Sequence, residues 1–86
     1  MEITPEIAIL FGSELDKVAS MEITYQNGGK VIGRVKRVRR IPLKVVIQKS
    51  QTERGERPEH RVVFDHVTQL QVFFRDGTSK TFEGAK

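Results

Sequence analysis

Arg34, Lys36, Arg37, Arg39 and Arg40 crowd five cations into seven positions, and Lys44 and Lys49 follow a few residues further on. Four of the first five are arginine, whose planar fork grips phosphate or carboxylate bidentately where lysine offers only a point charge. The chemistry open to such a cluster is recognition of a polyanion by neutralising it. The rest of the chain sharpens the contrast. Residues 1–29 hold five acidic side chains and one basic, residues 30–61 hold three acidic and eleven basic, and residues 62–86 hold three of each. The net charge of +4 is thus concentrated in the middle third, which points to nucleic acid or an acidic protein surface as partner. The competing account is a solvated outer face whose charges keep a strand edge from pairing. The sequence leaves both standing.

Nothing comparable supports catalysis. Acid–base chemistry needs a titratable group held beside its partner in a dry pocket. The two histidines are His60, beside a polar stretch, and His66, next to Asp65 in what reads as a tight turn capped by that aspartate. Neither has a helical partner four residues on, so a metal site would have to gather distant ligands. Cysteine is absent, which removes thiolate nucleophiles and ligands. Asn27-Gly28-Gly29-Lys30 lacks the spacing of a phosphate-cradling loop and is explained by a hairpin turn. The reading is a binding module that is not an enzyme, with no cofactor, no metal and no small-molecule substrate.

The scaffold for these cations must be small. A chain of 86 residues makes one domain, 1–86, and buries roughly 60–65% of the surface its unfolded form exposes. Apolar content of 37% with five phenylalanines is enough for one compact core. The lack of cysteine, the acidic start and the absence of an apolar run of roughly 18–20 residues together point to the cytoplasm, away from any membrane.

Thr4-Pro5-Glu6 reads as a helix start, with Thr4 as cap and Pro5 at the first helical position. Ile7, Leu10, Phe11, Leu15 and Val18 follow at helical spacing, which predicts a helix over about 5–19. Gly12 is either tolerated at about 1 kcal/mol, kinking the helix, or breaks it so that Ser13 caps a second short one. From Met21 the period becomes two. A three-residue loop, Asn27-Gly28-Gly29, keeps Met21, Ile23 and Tyr25 on one face with Val31, Gly33 and Val35, pairing Tyr25 with Val31 and Ile23 with Gly33. Gly33 within a strand implies a sharp bend. Strands follow over Leu43–Ile47, Arg61–Phe64, Leu70–Phe74 and Thr78–Phe82, with an exposed loop over about 50–59. A loop at Arg75-Asp76-Gly77 with Gly77 left-handed sets Phe82 opposite Leu70. One helix followed by five to six short strands predicts a mainly β fold, closed into a small Sm-like or SH3-like barrel that hides its edges, with the barrel over about 21–83.

Faces follow from the alternation. With Val31, Gly33 and Val35 inward, Arg34 and Lys36 point out. An irregularity between Arg37 and Ile41 then leaves Val38 and Ile41 to pack while Arg37, Arg39 and Arg40 continue outside. Lys44 joins them from the next strand, and Lys49 closes a stripe over residues 34–49. Tyr25 belongs to the core rather than to a base-stacking platform. Val46 and Phe73 are apolar yet outward, which offers the alternative of a protein adaptor or a homo-oligomer formed through the helix or a sheet edge.

The run from Met21 to Val35, Met-Glu-Ile-Thr-Tyr-Gln-Asn-Gly-Gly-Lys-Val-Ile-Gly-Arg-Val, resembles the opening hairpin of Sm-like proteins. Arg61 to Leu70, Arg-Val-Val-Phe-Asp-His-Val-Thr-Gln-Leu, is similar to their later strand–turn–strand. The nearest cadence is that of the YolD-like group, and the resemblance covers about residues 14–72. It implies a non-catalytic bacterial accessory protein tied to DNA-repair polymerases, with the nucleic-acid habits of Sm-like barrels.

Overall fold

The structure, a computed structural model, describes residues 1–50 and 58–84. Most of the loop expected over 50–59 therefore lies outside the described residues. Thr4 caps α1 (Pro5–Phe11) as expected, its hydroxyl oxygen accepting from the Ile7 N–H at 3.3 Å, with Pro5 in the first turn. The helix is shorter than the predicted 5–19. It stops at Gly12, whose φ of −97° and ψ of −92° leave the helical region. The N–H groups of Gly12 and Glu14 both reach back to the Ile9 carbonyl, at 3.1 and 3.3 Å. A single 3-10 turn (Leu15–Lys17) follows with no side-chain cap, so Ser13 does not cap a second helix. The apolar spacing that read as one stripe is shared: Leu15 packs from the turn, and buried Val18 already belongs to a strand.

Six antiparallel strands follow: β1 (Val18–Tyr25), β2 (Lys30–Arg40), β3 (Leu43–Lys49), β4 (Glu59–Arg61), β5 (Val67–Phe74) and β6 (Ser79–Glu83). Their order in the sheet is β4-β3-β2-β1-β5-β6. The fold is mainly β with one N-terminal helix, as predicted, but the sheet is not closed. β4 is three residues long and pairs with β3 alone, while the free edge of β5 is taken by β6. Among the described residues the sheet therefore keeps two edges. A second 3-10 turn (Phe64–His66) joins β4 to β5, with Val63 rather than Asp65 at its cap position and no side-chain cap bond.

The C-terminal ends of β1 and β5 use one hairpin design. Gly28 and Gly77 are left-handed, at φ of 86° and 93°, the third position of a three-residue loop where only glycine is unstrained. The Tyr25 N–H donates to the Gly29 carbonyl and the Phe74 N–H to the Thr78 carbonyl, each at 2.8 Å. Asn27 and Asp76 brace the two loops by accepting from the Gly29 and Thr78 N–H groups at 2.8 and 2.9 Å. Phe82 stands opposite Leu70 as predicted. In the first hairpin the loop is Gln26-Asn27-Gly28, so Ile23 pairs with Val31 and Met21 with Gly33. That is a correction of two residues in register, and because the shift is even the apolar face is unchanged.

Gly33 is where β2 passes from one partner to the other, facing Met21 on β1 and Lys49 on β3. A Cβ there would lie 2.1 Å from the Gln48 carbonyl oxygen, so glycine is what allows the two backbones to meet. The inner face of the sheet, including Met21, Ile23, Val45, Ile47, Leu70 and Val72, is covered by Ile7, Leu10 and Phe11 of α1 in one core. Phe11 meets Phe64 edge-to-face at 6.0 Å, closing the core over the second 3-10 turn.

Candidate nucleic-acid interface

The position of each cation is decided by a bulge. Val35 pairs with Ile47 and Arg37 with Val46, so Lys36 is an extra residue with no partner across the ladder. The irregularity thus sits at Lys36, earlier than the predicted Arg37–Ile41. An extra residue inverts the alternation beyond it. Arg37 and Arg39 fall on the same outer face as Arg34, and Val38 turns inward to pack on the core. Three rungs cross this face. Arg34 stands opposite Gln48, which faces Glu59; Arg37 stands opposite Val46, which faces Arg61; Arg39 stands opposite Lys44.

Arg34, Arg37, Arg39 and Lys44 are all exposed and on one face, so the structure brings these four predicted residues together. It separates the others. Lys36 is the bulged residue. Arg40, opposite Leu43, shares the inward register of Val38, although it is exposed at the end of the ribbon. Lys49, opposite Gly33, follows the register of Val45 and Ile47 and is half-buried. Ile41, expected to pack, is 89% exposed, because the strand runs on to Arg40 and leaves it in the turn. Arg61 belongs to the face and was not among the predicted residues. Its signal lay in the alternation of Arg61 with the buried Val62 beside it.

The counter-charge also has an unexpected source. The Glu59 carboxylate accepts from the Arg37 guanidinium at 2.6 Å and from the Lys36 ammonium at 3.3 Å. Two of the five acidic groups of the N-terminal third pair elsewhere, Glu6 with Lys80 and Glu22 with Lys30. Among the described residues no carboxylate pairs with Arg34, Arg39, Lys44 or Arg61. Arg39 and Lys44, directly opposed, repel each other. An anion laid between them relieves that repulsion.

Val46 and Phe73 are half-buried and outward, Val46 between Arg37 and Arg61, Phe73 between Ser20 and Ser79. β2 and β1 lie between their strands, so the two form no common patch. Of the six aromatic side chains Phe73 alone lies outside the core packing, and it stands apart from the cationic rungs.

A second polar constellation joins β1 to β4. The Tyr25 hydroxyl meets His60 Nε2 at 2.5 Å and accepts from the Val63 N–H at 3.3 Å. Burial pushes the Tyr25 phenol up, partly offset by the Val63 bond, so it stays protonated and donates to an imidazole nitrogen. Burial, and then the charge of Lys49, hold His60 below its ordinary 6.5, which suits that acceptor role. The pair is a clasp between strands, with Tyr25 packed on the core as predicted. The contact pairs residues far apart in sequence, and no local pattern announces it. His66 Nδ1 lies 3.4 Å from the Gln26 side-chain oxygen, a surface contact. Among the described residues no group of three His, Cys, Asp or Glu is placed to hold a metal, and no helix is long and apolar enough to cross a membrane.

Comparison with family models, curated proteins and solved structures finds no match.

Proposed function

We propose that the protein is a non-catalytic module that binds nucleic acid, weakly and with little sequence preference, through the outer face of β2, β3 and β4. The observation that carries this reading is the rung in which Arg39 faces Lys44, with no carboxylate among the described residues paired to either. A fold under no other demand would place opposite charges there. Arg34 and Arg61 extend the same face, and arginine suits phosphate. With no aromatic side chain beside these cations, base stacking contributes little, and phosphate neutralisation is the main term. The return of β5 to pair with β1 after a single 3-10 turn supports the resemblance to Sm-like and SH3-like barrels, and with it an accessory role; the lack of cysteine favours the cytoplasm. A protein adaptor docking through Val46 and Phe73 is the weaker reading, since those residues share no patch.

The test is a titration of labelled single-stranded and duplex oligonucleotides at several salt concentrations. Four phosphate contacts, from Arg34, Arg39, Lys44 and Arg61, give a slope of log K against log salt of about −3 to −4. Replacing Arg34, Arg39 and Lys44 with alanine should bring it to about −1. A slope that stays where it was refutes the assignment.

A further inference from the structure

The β2–β3 hairpin ends on an exposed apolar tip. Ile41 is the most exposed large apolar side chain among the described residues, at 89%, and it shares the two-residue turn with exposed Pro42. A turn needs permitted backbone geometry, which polar residues supply as well, so folding alone gives no reason for an isoleucine held in water. Its surroundings are specific. Arg39 and Lys44 flank the tip on the outer register, and Arg40 flanks it on the inner one; all three are exposed. Below them Val45 is fully buried, and Val38 and Leu43 pack on the core, so the ribbon is anchored along its inner face while its outer face and the turn stand clear. The result is an apolar point at the end of an anchored ribbon, with Arg39 and Lys44 on its outer side and Arg40 beside Leu43 on its inner one.

Building on the nucleic-acid reading above, we infer that this tip is a wedge for double-stranded DNA. Ile41, backed by Pro42, enters between base steps from the minor groove, and Arg39, Arg40 and Lys44 meet the phosphates of the two walls. The duplex then bends toward the ribbon and along its outer face. Arg34 lies four ladder positions from Arg39, roughly 14 Å along the strand, within reach of a bent duplex. A flat anionic membrane touching the tip would not contact it. Single strands are disfavoured by the lack of stacking aromatics. Duplex RNA is disfavoured because its minor groove is wide and shallow.

The test uses the full chain with a short duplex carrying an energy-transfer pair at its ends, and the same duplex with a central mismatch that eases kinking. The protein should raise transfer and prefer the mismatched duplex about tenfold, what sparing part of the unstacking cost of a few kcal/mol per step supplies. Ile41→Ser should abolish both effects and make the salt slope on perfect duplex shallower by about one unit, as Arg34 loses the bent duplex, while the melting temperature stays unchanged. Arg39→Ala with Lys44→Ala should weaken binding to both duplexes, which tests the cationic face separately from the wedge. If Ile41→Ser bends DNA as the unaltered chain does, the wedge is wrong and the cationic face stands. If Ile41→Ser loses only binding to phosphatidylglycerol vesicles, the tip is a membrane contact and the inference is overturned. If neither duplex binds the unaltered chain, the wedge goes, and the functional reading goes with it only if single strands fail to bind as well.

Discussion

Replacing Lys44 with glutamate separates what the cationic face costs the fold from what it does. Lys44 lies directly across the ladder from Arg39, and both are exposed. Like charges so placed destabilise a sheet and opposite charges stabilise it, each by about 0.2–1 kcal/mol. The reversal therefore favours the folded state by about 1 kcal/mol, which raises Tm by about 4–8 °C in a domain of this size. The pair is solvent-exposed, so the gain should shrink as salt shortens the screening length from about 10 Å at 0.1 M to about 3 Å at 1 M. The same substitution removes one phosphate contact and adds a repelling charge, so affinity for nucleic acid falls and its salt slope becomes shallower by about one unit. Melts followed by far-ultraviolet circular dichroism at two ionic strengths, beside anisotropy titrations, read both quantities. Lys44→Ala serves as the intermediate case, with roughly half the stability gain. Stability and binding must move in opposite directions. A Lys44→Glu variant that melts below the unaltered chain, or melts above it with binding intact, refutes the reasoning.

Two further substitutions probe the scaffold. Gly33→Ala would put a Cβ 2.1 Å from the Gln48 carbonyl oxygen and 2.7 Å from Ile47 Cγ2; backbone cannot swing aside, so β2 and β3 must part at a cost of about 3 kcal/mol. Urea unfolding measures this, and an unchanged midpoint would show that the strands do not meet as described. His60, held below its ordinary 6.5, makes the folded chain a poorer proton acceptor than the unfolded one. Stability should thus be full above pH 6.5 and decline as pH falls toward the lower folded pKa, in the way linkage requires. His60→Gln should flatten that decline in melts taken between about pH 5 and 7, and an identical pH profile in the variant counts against the clasp.

The two glycine hairpins show what local sequence can and cannot resolve. Asp76-Gly77 contains one glycine, so the left-handed position and the opposition of Leu70 and Phe82 follow directly. Asn27-Gly28-Gly29 contains two, and the alternation of apolar residues is equally satisfied whichever takes the left-handed place. The choice falls on Gly28, where Asn27 can brace the following N–H. Gly12 posed a similar ambiguity in the helix, because apolar spacing continued to Val18 while the backbone had already left the helix. Closure of the sheet was illegible for a different reason. It depends on which strand takes the free edge of β5, and that edge goes to β6, a competition between distant segments that no periodicity records.

The cationic face depends on the same kind of detail. Without an extra residue at Lys36, strict alternation places Arg37 and Arg39 inward with Val35, and Val38 outward with Arg34. Two buried guanidiniums with no partner are far more costly than one unpaired ladder position, so the sequence from Arg34 to Arg40 can form a strand against β3 only with a bulge. Its location is set by the inward demand of Val35 and Val38, three residues apart, which pack on one core. That spacing is visible in the sequence and requires an irregularity somewhere between them. The spacing alone places the irregularity within Arg37–Ile41 with Arg40 outward; at Lys36 it sends Arg40 to the other side of the ribbon. The consequence is that cations surround the hairpin tip on both registers while the continuous outer face is carried by Arg34, Arg37, Arg39, Lys44 and Arg61. The bulge that spares the core from buried charge is therefore also what assembles the surface.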